Sequence, residues 1–182
     1  MALTHSTMVP LGTPAQDFHL PGTDGNYYDL DTFAGKPVLV IVFMCNHCPY
    51  VQAVLQRLID LANHFVGAGV QFVGINPNDV EKYPEDSPVK MRLLVEERGI
   101  PFPYLFDETQ EVARRYNAVC TPDIFVYGPD RRLAYRGRID DNWQHPDQVT
   151  RQDLKTAIEA ILVGKPALEE QIPSMGCSIK WK

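Results

Sequence analysis

Pro37-Val38-Leu39-Val40-Ile41-Val42-Phe43 runs directly into Met44-Cys45-Asn46-His47-Cys48-Pro49. The first seven residues are continuously apolar and mostly β-branched, which marks a strand covered on both faces of a sheet. Behind the prolyl residue, Val51, Val54, Leu55, Leu58, Leu61, Ala62 and Phe65 recur at spacings of three and four. That period predicts an amphipathic helix from about Pro49 to Phe65, ended by Gly67 and Gly69. A buried strand feeding a helix through a two-cysteine junction is the feature from which the rest of the chain is read.

Outward from that junction, Val70–Ile75 repeats the buried-strand pattern. Ser87-Pro88 predicts the start of a helix that Gly99 closes. Tyr104–Phe106 reads as a short strand and Glu108–Tyr116 as a helix. Asp123–Tyr127 and Leu133–Gly137 bracket a hairpin turn at Gly128-Pro129-Asp130-Arg131. Thr150 with Asp153 predicts a capping box for a last helix, whose inner stripe is Leu154, Ala157, Ile158, Ile161 and Leu162. Upstream, residues 1–14 read as an irregular arm. Ala15–Leu20 and Asn26–Leu30 form a hairpin around Pro21-Gly22-Thr23-Asp24-Gly25, and one helical turn lies at 31–35. Strands alternating with helices and closing in a hairpin and a helix imply an α/β fold of three layers, with a mixed central sheet and an N-terminal β-hairpin extension.

The chain has 182 residues, 45% hydrophobic and 22% charged, which suits a single domain with a real core. The expected core spans about 11–163, with a tail at 164–182. A net charge of −6 and no basic cluster larger than a pair argue against nucleic-acid and anionic-membrane partners. The longest apolar run is too short to span a bilayer. No basic-then-apolar leader opens the sequence, so a cytoplasmic, reducing setting is expected for its four cysteines.

The helix start gives Cys45-Asn46-His47-Cys48 its chemical meaning. Unpaired N–H groups and a partial positive charge there stabilise a thiolate. Cys45 is expected to be the exposed, attacking sulfur with a lowered pKa. Cys48, one turn inward, is expected to resolve a mixed disulfide. Asn46 and His47 lie between them, and a positive His47 would lower the Cys45 pKa further. Zinc needs four ligands, no second CxxC exists, and His5, His19, His64 and His145 are scattered, so no metal or other cofactor is expected. Cys120 is expected to face away from the Thr121 side chain, either as a packed thiol or as an extra redox group.

On these motifs the sequence resembles the thioredoxin superfamily, in its redoxin (alkyl hydroperoxide reductase/thiol-specific antioxidant) branch. The cues are Pro14-Ala15-Gln16-Asp17-Phe18, Gly35–Phe43, the CNHC at the helix start and Thr121-Pro122 before a strand. It is similar to a peroxiredoxin-like group with a CNHCPY motif and a GCSIKW tail. The resemblance implies a thioredoxin-like fold and a thiol–disulfide oxidoreductase with a reversible Cys45–Cys48 pair. It implies a cis peptide at Thr121-Pro122, whose backbone aligns a protein or small-molecule disulfide, and an unknown thiol reductant as second partner. Aligned on Cys48, the peroxiredoxin threonine falls at Cys45 and its proline at Ile41, and the activating arginine has no counterpart in Val119–Ile124. Peroxidase chemistry is therefore the alternative reading, beside a redox sensor or metal-binding module. The thioredoxin acid on the strand before the motif is also missing.

Ser174–Lys182 alternates strictly, with Met175, Cys177, Ile179 and Trp181 apolar. This predicts a strand that covers a sheet edge, with Cys177 either packed or acting as a third redox cysteine. Trp143 reads as packing over the sheet edge or lining a partner groove. The acidic Tyr83–Pro88 loop reads as a solvated loop or as a border of the active face, and Asn76-Pro77-Asn78-Asp79, at the same end of the sheet, as turn chemistry or a substrate contact.

Overall fold

In a computed structural model, which describes residues 3–168 and 170–182, the strand that opened the reading is the centre of the molecule. Strands β1 (Leu3–His5), β2 (Leu20–Pro21), β3 (Tyr27–Tyr28), β4 (Val38–Phe43) and β5 (Val70–Asn76) come first. They are followed by β6 (Tyr104–Phe106), β7 (Cys120–Thr121), β8 (Asp123–Tyr127), β9 (Leu133–Arg136) and β10 (Met175–Ser178). The helices are α1 (Pro49–Phe65), α2 (Pro88–Arg98), α3 (Glu111–Arg115) and α4 (Asp153–Leu162).

The main sheet has five strands in the order β6-β5-β4-β8-β9. β4 pairs parallel with β5 and antiparallel with β8, so the sheet is mixed. Every residue of β4 is buried. Its alternation decides the layers, because successive side chains of a strand point to opposite faces. Val38, Val40 and Val42 meet the inner stripes of α1 and α4 on one side. Leu39, Ile41 and Phe43 meet Val112 and Ala113 of α3, with Phe18 and Phe33, on the other. The fold is thioredoxin-like, and the β2–β3 hairpin sits beside edge strand β6, with Gly22 bridging Leu105.

Four local expectations are corrected. The helix expected at 108–116 begins only at Glu111, because Gln110 has a positive φ of 64° that no α-helical residue adopts. The Thr150–Asp153 capping box does not form, since the Thr150 hydroxyl donates instead to Asp141 Oδ2 and Gln152 is the N-cap of α4. The arm at 1–14 is not wholly irregular: Leu3–His5 is a strand, while Met1 and Ala2 lie outside the described residues. The tail strand is shorter than its alternation, covering Met175–Ser178, and joins β1 and β7 in a second sheet of order β1-β10-β7. Among the described residues, no helix is long and apolar enough to cross a membrane.

Candidate active site

α1 starts where β4 ends, and Cys48 is its N-cap, with extended backbone angles and Pro49 behind it in the first turn. Cys45 lies on the short connection between strand and helix. Both sulfurs meet at Thr121. The Cys48 thiol donates to the Thr121 carbonyl at 3.1 Å, and Cys45 Sγ stands 3.5 Å from Thr121 Oγ1. The Thr121-Pro122 peptide is cis.

The expected exposure of Cys45 is overturned: it is 1% exposed and Cys48 is fully buried. The charge asymmetry is also reversed. Cys45 is held well above the usual thiol range by its hydrogen bond to Cys48, by burial and by the nearby Asp86 carboxylate. Cys48 is lowered to about 5 by its hydrogen bond with Cys45, with further help from Thr121 and the Val51 backbone. The largest cause is the hydrogen bond that the two sulfurs share; the Thr121 hydroxyl and the Val51 N–H add to it at Cys48, and the Asp86 carboxylate opposes ionisation at Cys45.

Asp86, in the loop expected to be solvated, is fully buried. Its Oδ1 accepts the backbone N–H of Asn46 at 2.8 Å and of His47 at 3.1 Å. Its Oδ2 lies 2.6 Å from His47 Nδ1 and accepts from Asn78 Nδ2 at 2.8 Å. Asn76 Nδ2 donates to the Asp86 carbonyl at 2.7 Å, so the two asparagines of the expected turn are buried supports of this acid. Asn46 is tied to the Tyr104 hydroxyl at 3.0 Å and to the Glu85 carbonyl at 2.9 Å. The carboxylate missing from β4 is thus replaced from another loop at the same end of the sheet. Its signal in the sequence was topological: acids after a strand's carboxyl end sit where α/β folds gather their sites.

Ligating atoms of Cys45, His47 and Asp86 all lie within 4.8 Å of one another and are the residues placed to hold a metal. The 2.6 Å separation of His47 from Asp86 is a hydrogen bond, however. Two donors on one tetrahedral zinc at ~2.0–2.1 Å each would stand roughly 3.3 Å apart.

The remaining candidates divide. Cys177 is brought to the pair, in the same buried cluster as Cys45 and Cys48. Cys120 is turned away, as expected, with its thiol on the Pro122 carbonyl at 3.7 Å. Beside it, fully buried Asp123 accepts from Ser6 Oγ at 2.5 Å and pairs with fully buried Arg136 at 3.0 Å. Trp143 is half-buried against Tyr50, with ring centres 4.3 Å apart. The two rings line a groove of about 330 Å³ with Pro122, Val54 and Met175.

The AhpC/TSA family profile matches residues 11–136. The structure of an uncharacterized conserved protein from Geobacillus kaustophilus is 48% identical, with 100% of this chain and 97% of that one covered and a TM-score of 0.95. A Mycobacterium tuberculosis protein named "Putative peroxiredoxin Rv2521" is 29% identical over 64% of this chain and 69% of its own length. The thioredoxin domain of a thiol-disulfide oxidoreductase from Bacteroides vulgatus shares the fold at 19% identity, covering 71% of this chain and 89% of that one, with a TM-score of 0.61.

Proposed function

This chain belongs to the AhpC/TSA family and is a thiol redox enzyme, and on that premise we propose that it is a thiol–disulfide oxidoreductase cycling Cys45 and Cys48 between dithiol and disulfide. The observation that carries the reading is the two sulfurs facing one Thr121 peptide in opposite electrostatic surroundings. Cys48 is the nucleophile and Cys45 the resolving thiol, the reverse of the order read from the motif. The Cys48 thiolate attacks one sulfur of a partner disulfide, and the other partner sulfur leaves as a thiolate. Cys45 then gives up its proton and attacks Cys48 Sγ, releasing the partner and closing Cys45–Cys48. Asp86 and His47 are the groups placed to take that proton. A thiol reductant restores the pair, consistent with a cytoplasmic location. The groove at Pro122, Tyr50 and Trp143 is where a protein or small-molecule disulfide lies. No cofactor enters this cycle.

Turnover of a model disulfide tests the reading. Cys48→Ser should stop it, and the Cys45→Ser/Cys177→Ala chain should accumulate a mixed disulfide on Cys48. A mixed disulfide that instead builds up on Cys45 in the Cys48→Ser chain would restore the opposite order.

A second reading, an antioxidant peroxidase, is favoured by one observation: Cys48 stands at the helix N-cap in the position of the peroxiredoxin cysteine. There Cys48 would become a sulfenic acid, and Cys45 would close the disulfide with loss of water. The departures at Ile41 and Cys45 count against it, as does Arg136, whose charge is engaged by Asp123. Stopped-flow oxidation of the reduced protein by hydrogen peroxide separates the two. A rate close to that of a free thiol supports the oxidoreductase.

A further inference from the structure

The C-terminal strand brings a third sulfur to the pair. β10 lies antiparallel on β7, with Cys177 opposite Thr121 and Ser178 opposite Cys120. Thr121, whose carbonyl takes the Cys48 thiol, is therefore also the cross-strand neighbour of Cys177. Side chains directly opposite across an antiparallel pair share a face, and successive residues alternate. Cys177 consequently falls on the side of Cys45 and Cys48, whereas Cys120 falls on the side of Asp123. The Cys177 and Cys48 side chains are within hydrogen-bonding reach of each other, and Cys177 is 1% exposed.

This placement is tightly determined. A Cβ on Gly176 would sit 1.9 Å from the Thr121 carbonyl oxygen, so only glycine lets β10 approach so closely. On either side the strand is tied down. Ser174 Oγ donates to the Gly137 carbonyl at 2.6 Å, and Ile179 N to the Val119 carbonyl at 3.0 Å. Lys180 N reaches Asn78 Oδ1 at 2.9 Å, which is the asparagine that holds Asp86. The backbone edge at Thr121, expected to receive an incoming disulfide, is thus already filled by the chain's own tail. That tail presents a cysteine at the register nearest the reactive sulfur.

We propose that Cys177 is a third redox cysteine, to which the disulfide of the pair is transferred by exchange at Cys48. The inference rests on the Cys45–Cys48 chemistry proposed above. The Cys177 sulfur attacks Cys48 Sγ, the Cys45–Cys48 bond breaks and a Cys48–Cys177 bond forms. Cys45 leaves as a thiolate and takes the proton that Cys177 gives up. One disulfide and one thiol proton are present before and after, only redistributed among three sulfurs, so no oxidant is consumed. Because burial pushes the Cys177 thiol up to about 12, its proton passes to Cys45 as the Cys45–Cys48 bond breaks. The outcome is an oxidised state that locks the C-terminal strand to the start of α1 and frees Cys45.

Non-reducing peptide mapping by mass spectrometry after oxidation with glutathione disulfide tests this. The Cys45→Ser chain should form an intrachain Cys48–Cys177 disulfide, and the Cys45→Ser/Cys177→Ala chain should instead carry glutathione on Cys48. A Cys45→Ser chain that ends with glutathione on Cys48 and an alkylatable Cys177 overturns the proposal. The Cys177→Ala chain separates the two levels of the argument. If it forms Cys45–Cys48, the proposed function stands whatever happens at Cys177; if it does not, that function falls. Should Cys45→Ser not fold, the wild-type map decides. A Cys48–Cys177 peptide in the oxidised protein supports the exchange, and its absence from a fully oxidised sample rejects it.

Discussion

Cys48 and Cys120 flank the same Thr121-Pro122 segment, and both are completely buried. Each thiol points to a backbone carbonyl, Thr121 for one and Pro122 for the other. Their chemistry diverges because of what lies behind each sulfur. Cys48 caps a helix of 17 residues and has Cys45 as a hydrogen-bond partner. Cys120 has no helix end, and burial together with the Asp123 charge drives its thiol far above the ordinary range. Burial by itself disfavours a thiolate. A second thiol, helped by the Thr121 hydroxyl and the Val51 N–H, overcomes that cost on one side of the segment, and a carboxylate adds to it on the other.

The largest effect that distinguishes the two sides is on turnover. Cys48→Ser should reduce disulfide exchange to the uncatalysed level, whereas Cys120→Ala should leave it within about twofold, as a packed thiol outside the reacting atoms requires. Steady-state assays with a model disulfide measure both. A large loss in Cys120→Ala would erase the contrast.

On the Cys120 side the consequence belongs to stability. Arg136 and Asp123 are both fully buried and paired, so Arg136→Ala strands a buried carboxylate and should cost about 3–5 kcal/mol. Denaturant unfolding reads this directly, and an Asp123→Asn/Arg136→Met chain should recover part of it. On the tail, Gly176→Ala forces a methyl group onto the Thr121 carbonyl and should cost about 1–3 kcal/mol. It should also slow formation of any Cys48–Cys177 bond.

The smallest and most specific effect is on titration. The folded Cys48 pKa, about 5, lies below the ~8.5 of an unperturbed thiol. The stabilisation it represents is present above the unfolded value and is lost as pH falls through about 5. Thiolate ultraviolet absorbance of the reduced protein should therefore vanish between roughly pH 6 and 4, with no contribution from Cys120 anywhere in that range. Asp86→Asn removes the charge facing Cys45 and should let the second thiol of the pair titrate at lower pH than in the wild type. An unchanged second step would show that burial and the Cys48 partnership, not Asp86, hold the Cys45 proton.

By itself the sequence determined the central strand, the helix from Pro49 to Phe65 and the junction that carries both cysteines. These are local patterns: an apolar run, a period of three and four, a proline and two glycines, all acting within one element. The same locality made the hairpin at 123–137 and the alternation of the tail legible. Only the tertiary structure decided which sulfur faces the helix N–H groups, because the capping position depends on the turn of backbone between Cys45 and Cys48. It alone placed Asp86, 40 residues from Asn46, beneath the motif. It alone laid the tail against Thr121, so that Cys177 meets Cys48 across more than two-thirds of the chain. Charge and burial are sums over neighbours from distant segments, and a thiol's reactivity is set by that sum and not by its own spacing in the chain.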